Sequence, residues 1–148
     1  MSVLRNTLNM RNLSPLLLLV LTACGGGTST ISTFLTSASG KVIKGPLNNA
    51  LVGLDYDGDG VVDSATVRTD ANGSYSISTT QKTYTVIAVT DESTVDTSSG
   101  TVLSGVTLKA PEGATVITPT TTLMKEGNLT AEQVASVLGL PDGVDPLT

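Results

Sequence analysis

Apolar residues recur along the chain in short runs separated by turn-forming residues. Val42 and Ile43, between Lys41 and Lys44, read as a short first strand that Gly45-Pro46 stops. Leu47-Asn48-Asn49 turns the chain, and Ala50 to Leu54 forms a second apolar run. Ala65 to Thr69 follows an acidic stretch, and Asp70-Ala-Asn-Gly73 then supplies a hairpin connection, because Asn and Gly tolerate positive φ. Ser74 to Ser78 alternates polar and apolar, placing Tyr75 and Ile77 on one face. Tyr84 to Val89 is the most strand-like segment, and Val102 to Leu108 predicts one more strand. Short strands at this spacing predict a mainly β chain, an antiparallel sandwich of about six or seven strands over residues 40–110.

Residues 111–148 change character. Thr118-Pro119 opens like a helix, with proline in the first turn where no N–H is needed. Thr130-Ala-Glu-Gln133 has the capping-box spacing. Val134, Val137 and Leu138 then follow a helical period, and Gly139 with Pro141 ends it. Residues 119–140 therefore predict two short helices.

The first 39 residues belong to neither pattern. Residues 1–12 carry only Arg5 and Arg11 as charges, and an apolar run from Leu13 to Leu21 follows. That is the layout of a secretory signal, with a core too short to span a bilayer as a helix. Its end, Leu21-Thr22-Ala23-Cys24, resembles the lipobox of bacterial lipoproteins at all four positions. The resemblance implies cleavage before Cys24 by signal peptidase II and lipidation of that residue. It also implies a membrane partner held through the acyl chains, and a place in the bacterial cell envelope. Gly25 rather than Asp at the second mature position resembles the class sorted to the outer membrane, on its periplasmic or surface-exposed face. Residues 1–23 are thus read as the signal, and 24–39, uncharged and rich in Gly, Ser and Thr, as a tether.

Composition narrows the chemistry. The chain of 148 residues has one Cys and no His. A Ser-His-Asp triad, a His-ligated metal, an intrachain disulfide and a cysteine-ligated cluster are all excluded. The net charge is −5, and removing residues 1–23 lowers it to −7 by taking Arg5 and Arg11 away. Such a balance excludes nucleic acid as a partner, since phosphate binding needs clustered Lys and Arg.

Gly40 to Leu54, Thr69-Asp-Ala-Asn-Gly-Ser-Tyr75 and Tyr84-Thr-Val86 together resemble the carboxypeptidase-regulatory-like or Cna-B-like sandwich over about residues 40–90. The resemblance implies an Ig-like, transthyretin-like sandwich of the kind that serves bacterial surface proteins as stalk, spacer or ligand-presenting module. It says almost nothing about activity. The runs Val116 to Met124 and Leu138 to Pro146 resemble a segment that follows such sandwiches in longer surface proteins. There the chain continues, so this sequence reads as a fragment of a longer one.

One motif carries chemistry. Asp55-Tyr-Asp-Gly-Asp-Gly-Val-Val-Asp63 places acids at alternate positions, with Gly60 to turn the loop. A hard divalent cation needs six to eight oxygens at short range, and such a loop can converge them. The expected ligands are the carboxylates of Asp55, Asp57, Asp59 and Asp63 and the carbonyl of Val61, with Ca²⁺ as the ion. Thr66 stands where an EF-hand has its bidentate Glu, and strands rather than helices flank the loop. The loop thus resembles the calcium loops of thrombospondin type 3 repeats rather than a calcium sensor. The whole reads as a non-catalytic, calcium-stabilised, lipid-anchored surface module with a structural or adhesive role. The alternative is a module binding a glycan or a surface protein, which an exposed Tyr56 beside the loop would favour.

Overall fold

In the computed structural model, residues 35–148 are described here. The signal peptide, the lipidated Cys24 and most of the tether that the sequence leads one to expect lie outside the described residues. The fold is mainly β, as the alternation predicts, with ten strands and two C-terminal helices. In chain order these are β1 (Thr36–Val42), β2 (Leu47–Asn48), β3 (Leu51–Asp55), β4 (Val67–Arg68), β5 (Ser74–Thr79) and β6 (Thr85–Val89). Then come β7 (Val95–Asp96), β8 (Thr101–Val102), β9 (Thr107–Pro111), β10 (Val116–Ile117), α1 (Pro119–Gly127) and α2 (Ala131–Leu138).

Two sheets enclose the core. One has the order β10-β1-β5 and the other β4-β3-β6-β9, while β2-β7-β8 forms a small third sheet. All named pairings are antiparallel except β1 with β10. Register explains the core directly. Leu54, Val86 and Ala110 are opposed across three strands, as are Val52, Ala88 and Leu108. These side chains meet Ala38, Val42, Tyr75, Ile77 and Ile117 of the other sheet in one buried cluster. Each large aliphatic side chain removed from water in this way contributes about 1.5–3 kcal/mol. Burial pushes the Tyr75 hydroxyl up to about 12.

The strands depart from the sequence reading in four places. The first strand begins at Thr36, four residues before Gly40, so residues 36–39 are sheet rather than tether. Leu47–Asn48 is not only a turn but a short strand paired with β7. The stretch from Val102 to Leu108 is two strands, separated where Leu103 and Gly105 donate their N–H groups to Thr94 and Thr90. Sheet pairing also runs past residue 110, because β10 lies beside Lys41 and Val42. Ten strands replace six or seven, five of them only two residues long.

The helices match their capping signals. Thr118 and Thr121 form a capping box on α1, and Thr130 with Gln133 forms one on α2. Thr121 and Thr122 of α1 also bind the edge of β9: the Thr121 hydroxyl donates to the Lys109 carbonyl at 2.8 Å, and the Lys109 N–H donates to Thr122 Oγ1 at 2.8 Å. Of the apolar residues on α2, Val134 is buried but Val137 and Leu138 are exposed.

Candidate metal centre

β3 ends at Asp55, and the loop that follows returns to the same strand end. The Leu54 carbonyl accepts N–H groups from both Asp63 and Ser64, at 2.8 and 3.1 Å. Ser64 completes the neck, its Oγ accepting the Leu54 N–H at 2.8 Å and donating to the Ala65 carbonyl. Gly58 and Gly60 hold φ of 82° and 88°, which side-chain-bearing residues rarely adopt, and so let the chain reverse between the acids. Val62 folds back over Gly53, where any Cβ would overlap its side chain. That glycine therefore seats the loop on the outer face of the β3-β6-β9 sheet.

Within this frame each acid has a definite place. Asp55 is only 2% exposed, and its two oxygens accept N–H groups from Gly58 at 2.6 Å and Gly60 at 3.0 Å. Asp57 accepts the Asp59 N–H at 3.1 Å, and Asp63 Oδ2 accepts the Tyr56 N–H at 2.7 Å. One carboxylate oxygen from each of Asp55, Asp57 and Asp63 lies within 4.8 Å of the others, so these three could hold a metal ion. Asp59 does not join them. Its Oδ1 accepts the Val61 N–H at 2.7 Å, which turns it into a local brace, and Val61 itself sits 62% exposed on the rim. The expected four-carboxylate site is thus a three-carboxylate cluster. Like charges about 4 Å apart repel by about 4 kcal/mol at the effective dielectric of a protein surface. The loop's own N–H groups offset part of that repulsion, and a cation would offset the rest.

A groove of about 350 Å³ runs beside the cluster, between Asp55–Gly58 on one side and Tyr84, Glu112 and Lys125 on the other. Tyr56 is half-buried, and its hydroxyl lies 3.1 Å from Thr79 Oγ1. It does not stand free as a stacking platform. Lys109, paired with Glu126 at 2.6 Å, approaches the loop near Gly60. Neither lysine emerges from the sequence, because Lys109 and Lys125 come from elements roughly 50 to 70 residues downstream of the loop.

Among the described residues, no helix is long and apolar enough to cross a membrane. No family model matches the chain, and no curated protein or solved structure does either.

Proposed function

We propose that the chain is a non-catalytic, lipid-anchored module of the bacterial cell surface whose sandwich is stabilised by Ca²⁺. The observation that carries the metal reading is the convergence of Asp55, Asp57 and Asp63. Two oxygens on opposite sides of a Ca²⁺ ion stand about 5 Å apart, given bonds of 2.3–2.6 Å, and the cluster's 4.8 Å limit lies inside that span. Mg²⁺ suits the site less, because flexible all-protein oxygen cages favour the larger ion. Three to five further oxygens, from protein or water, would complete a shell of six to eight.

The position of the site supports a stabilising role. It closes the connection between β3 and β4 and is seated on the sheet through Val62 and Gly53. Lacking a bidentate Glu, it suits the weak extracellular affinity range of about 10⁻⁴–10⁻³ M. Calorimetry with millimolar Ca²⁺ and with EDTA tests this reading, which fails if the melting temperature is the same in both. Palmitate labelling tests the anchor separately: label should enter the wild-type chain and not Cys24→Ser.

A further inference from the structure

Hydrogen-bond parity shows which strand edges remain open. The Val42 N–H donates to the Gly73 carbonyl across the β1–β5 pair, so alternate pairs Gly40–Tyr75, Ala38–Ile77 and Thr36–Thr79 are the bonded ones. The backbone groups of Ser74, Ser76 and Ser78 therefore point away from β1. Those of Ser74 are met by Asp70: its carboxylate accepts the Ser74 N–H at 2.8 Å, and its own N–H donates to the Ser74 carbonyl at 3.0 Å. Among the described residues, nothing hydrogen-bonds the N–H or C=O of Ser76 or Ser78.

Other sheet edges carry the devices that block strand addition. β4 is two residues long and bears Arg68, and β9 carries Lys109 and Pro111 and is bridged to α1 by Thr121 and Thr122. β2, β8 and β10 are two residues each. The free part of β1 is flanked by Gly113–Thr115 across a slot. β5 differs from all of these. It is six residues long, holds register without a bulge, and contains no charge and no proline.

We propose that two copies of this chain pair antiparallel through β5, about a two-fold axis at Ile77, joining their three-stranded sheets into one of six strands. In that register Ser76 of each copy faces Ser78 of the other, and both pairs exchange N–H and C=O, giving four hydrogen bonds. The exposed side chains along the seam are serines, Ser37, Ser39, Ser76 and Ser78, so a chain of net charge −5 meets itself where it carries no acid. The ends are complementary. Antiparallel pairing sets Lys82 of one copy, which follows β5, opposite the Asp70–Gly73 turn of the other, which precedes it.

Sedimentation velocity of the full-length chain in dodecyl maltoside micelles at about 100 μM should show a dimer. Ser76→Lys plus Ser78→Lys, which adds like charge along the seam and leaves the backbone pairing with β1 intact, should raise the dimer Kd by at least about tenfold while the far-UV circular dichroism, taken at a dilution where both chains are monomeric, stays that of the parent. Shared micelles would hold parent and variant together equally, so a dimer unchanged by these lysines overturns the proposal, as does a monomeric parent. Should the lysine variant fold poorly, Ser76→Cys plus Ser78→Cys decides the matter. The opposed Cα atoms would lie about 5.5 Å apart, within disulfide range, so in a Cys24→Ser background oxidation should trap a covalent dimer that the same chain with Ser76 and Ser78 cannot form. Failure to trap one overturns it equally.

Discussion

Among the aspartate-led turns of the described residues, those at Asp55 and Asp70 use the acid alike, each carboxylate accepting two N–H groups of its own turn. Asp70 Oδ1 accepts the N–H groups of Asn72 and Ser74, each at 2.8 Å, and closes the turn between β4 and β5. That turn carries the chain from one sheet to the other rather than forming the hairpin that Asn72-Gly73 predicts. Asp55 accepts those of Gly58 and Gly60 and opens the loop after β3. The difference lies in what surrounds each carboxylate. Asp70 is exposed and answers the turn's needs by itself, whereas Asp55 is buried and has Asp57 and Asp63 within 4.8 Å. Turn chemistry accounts for one acid in each case. Asp57 and Asp63 also accept N–H groups of their loop, but local turn bonds do not account for three carboxylates within 4.8 Å of one another, which is what a cation would explain.

The comparison is most strongly tested by removing the leading acids. Asp55→Ala strands two donors beneath the loop, and losing charge-assisted bonds of this kind should destabilise the domain by about 3 kcal/mol. Urea denaturation should show a smaller loss for Asp70→Ala, whose donors face water. Equal losses would mean that burial does not separate the two turns.

Calcium should act on one turn only. At free Ca²⁺ about 100 times Kd, linkage adds about 2.7 kcal/mol. Calorimetry should lose that increment in Asp57→Asn plus Asp63→Asn and keep it in Asp70→Asn. A calcium shift that survives the double change would move the site elsewhere.

Acid should act on the other. The Ser74 N–H, then that of Asn72, holds the Asp70 carboxyl below its ordinary 3.8. A carboxyl depressed in the folded state contributes stability that is present above its unfolded pKa and lost as pH falls through the folded value. The melting temperature should therefore fall between about pH 4 and 2, and less steeply in Asp70→Asn. Some slope should remain, because the Arg68 guanidinium, 2.7 Å away, holds the Asp91 carboxyl well below the usual range. An unaltered slope in Asp70→Asn would show that its bonds contribute nothing.

The smallest effect is expected at Asp59, whose bond to the Val61 N–H an amide oxygen can replace. Asp59→Asn should change stability by less than about 0.5 kcal/mol and leave the calcium increment in place. Loss of the increment would return Asp59 to the ligand set.

These contrasts also mark where the sequence stops being legible. The Asp70 turn, the buried strands β3 and β6 and both helix caps are written in local residues, so turn, run and capping signals suffice. β1 escapes that reading in its first half because Thr36-Ser-Ala-Ser39 carries no strong apolar alternation; only pairing with β5, some forty residues away, makes it a strand. β7, β8 and β10 are too short to have a period. At the site, the acidic spacing announced a cluster but not its membership. Asp59 stands outside the cluster, its Oδ1 accepting the Val61 N–H, a matter of loop geometry that spacing alone does not encode. Tyr56 likewise turned inward, toward Thr79, rather than outward as a binding surface would need.

The parallel pairing of β1 with β10 has a mechanical consequence. β1 enters the domain from its N-terminal end, and β10 leaves it toward the C-terminus. Tension between the two chain ends therefore slides these strands past one another instead of peeling them apart. The bonds from the Lys41 and Ile43 N–H groups to the carbonyls of Thr115 and Ile117, at 3.0 and 2.8 Å, take the load together rather than in turn. Traction on a tethered copy would meet this clamp before it reached the buried sheet behind it.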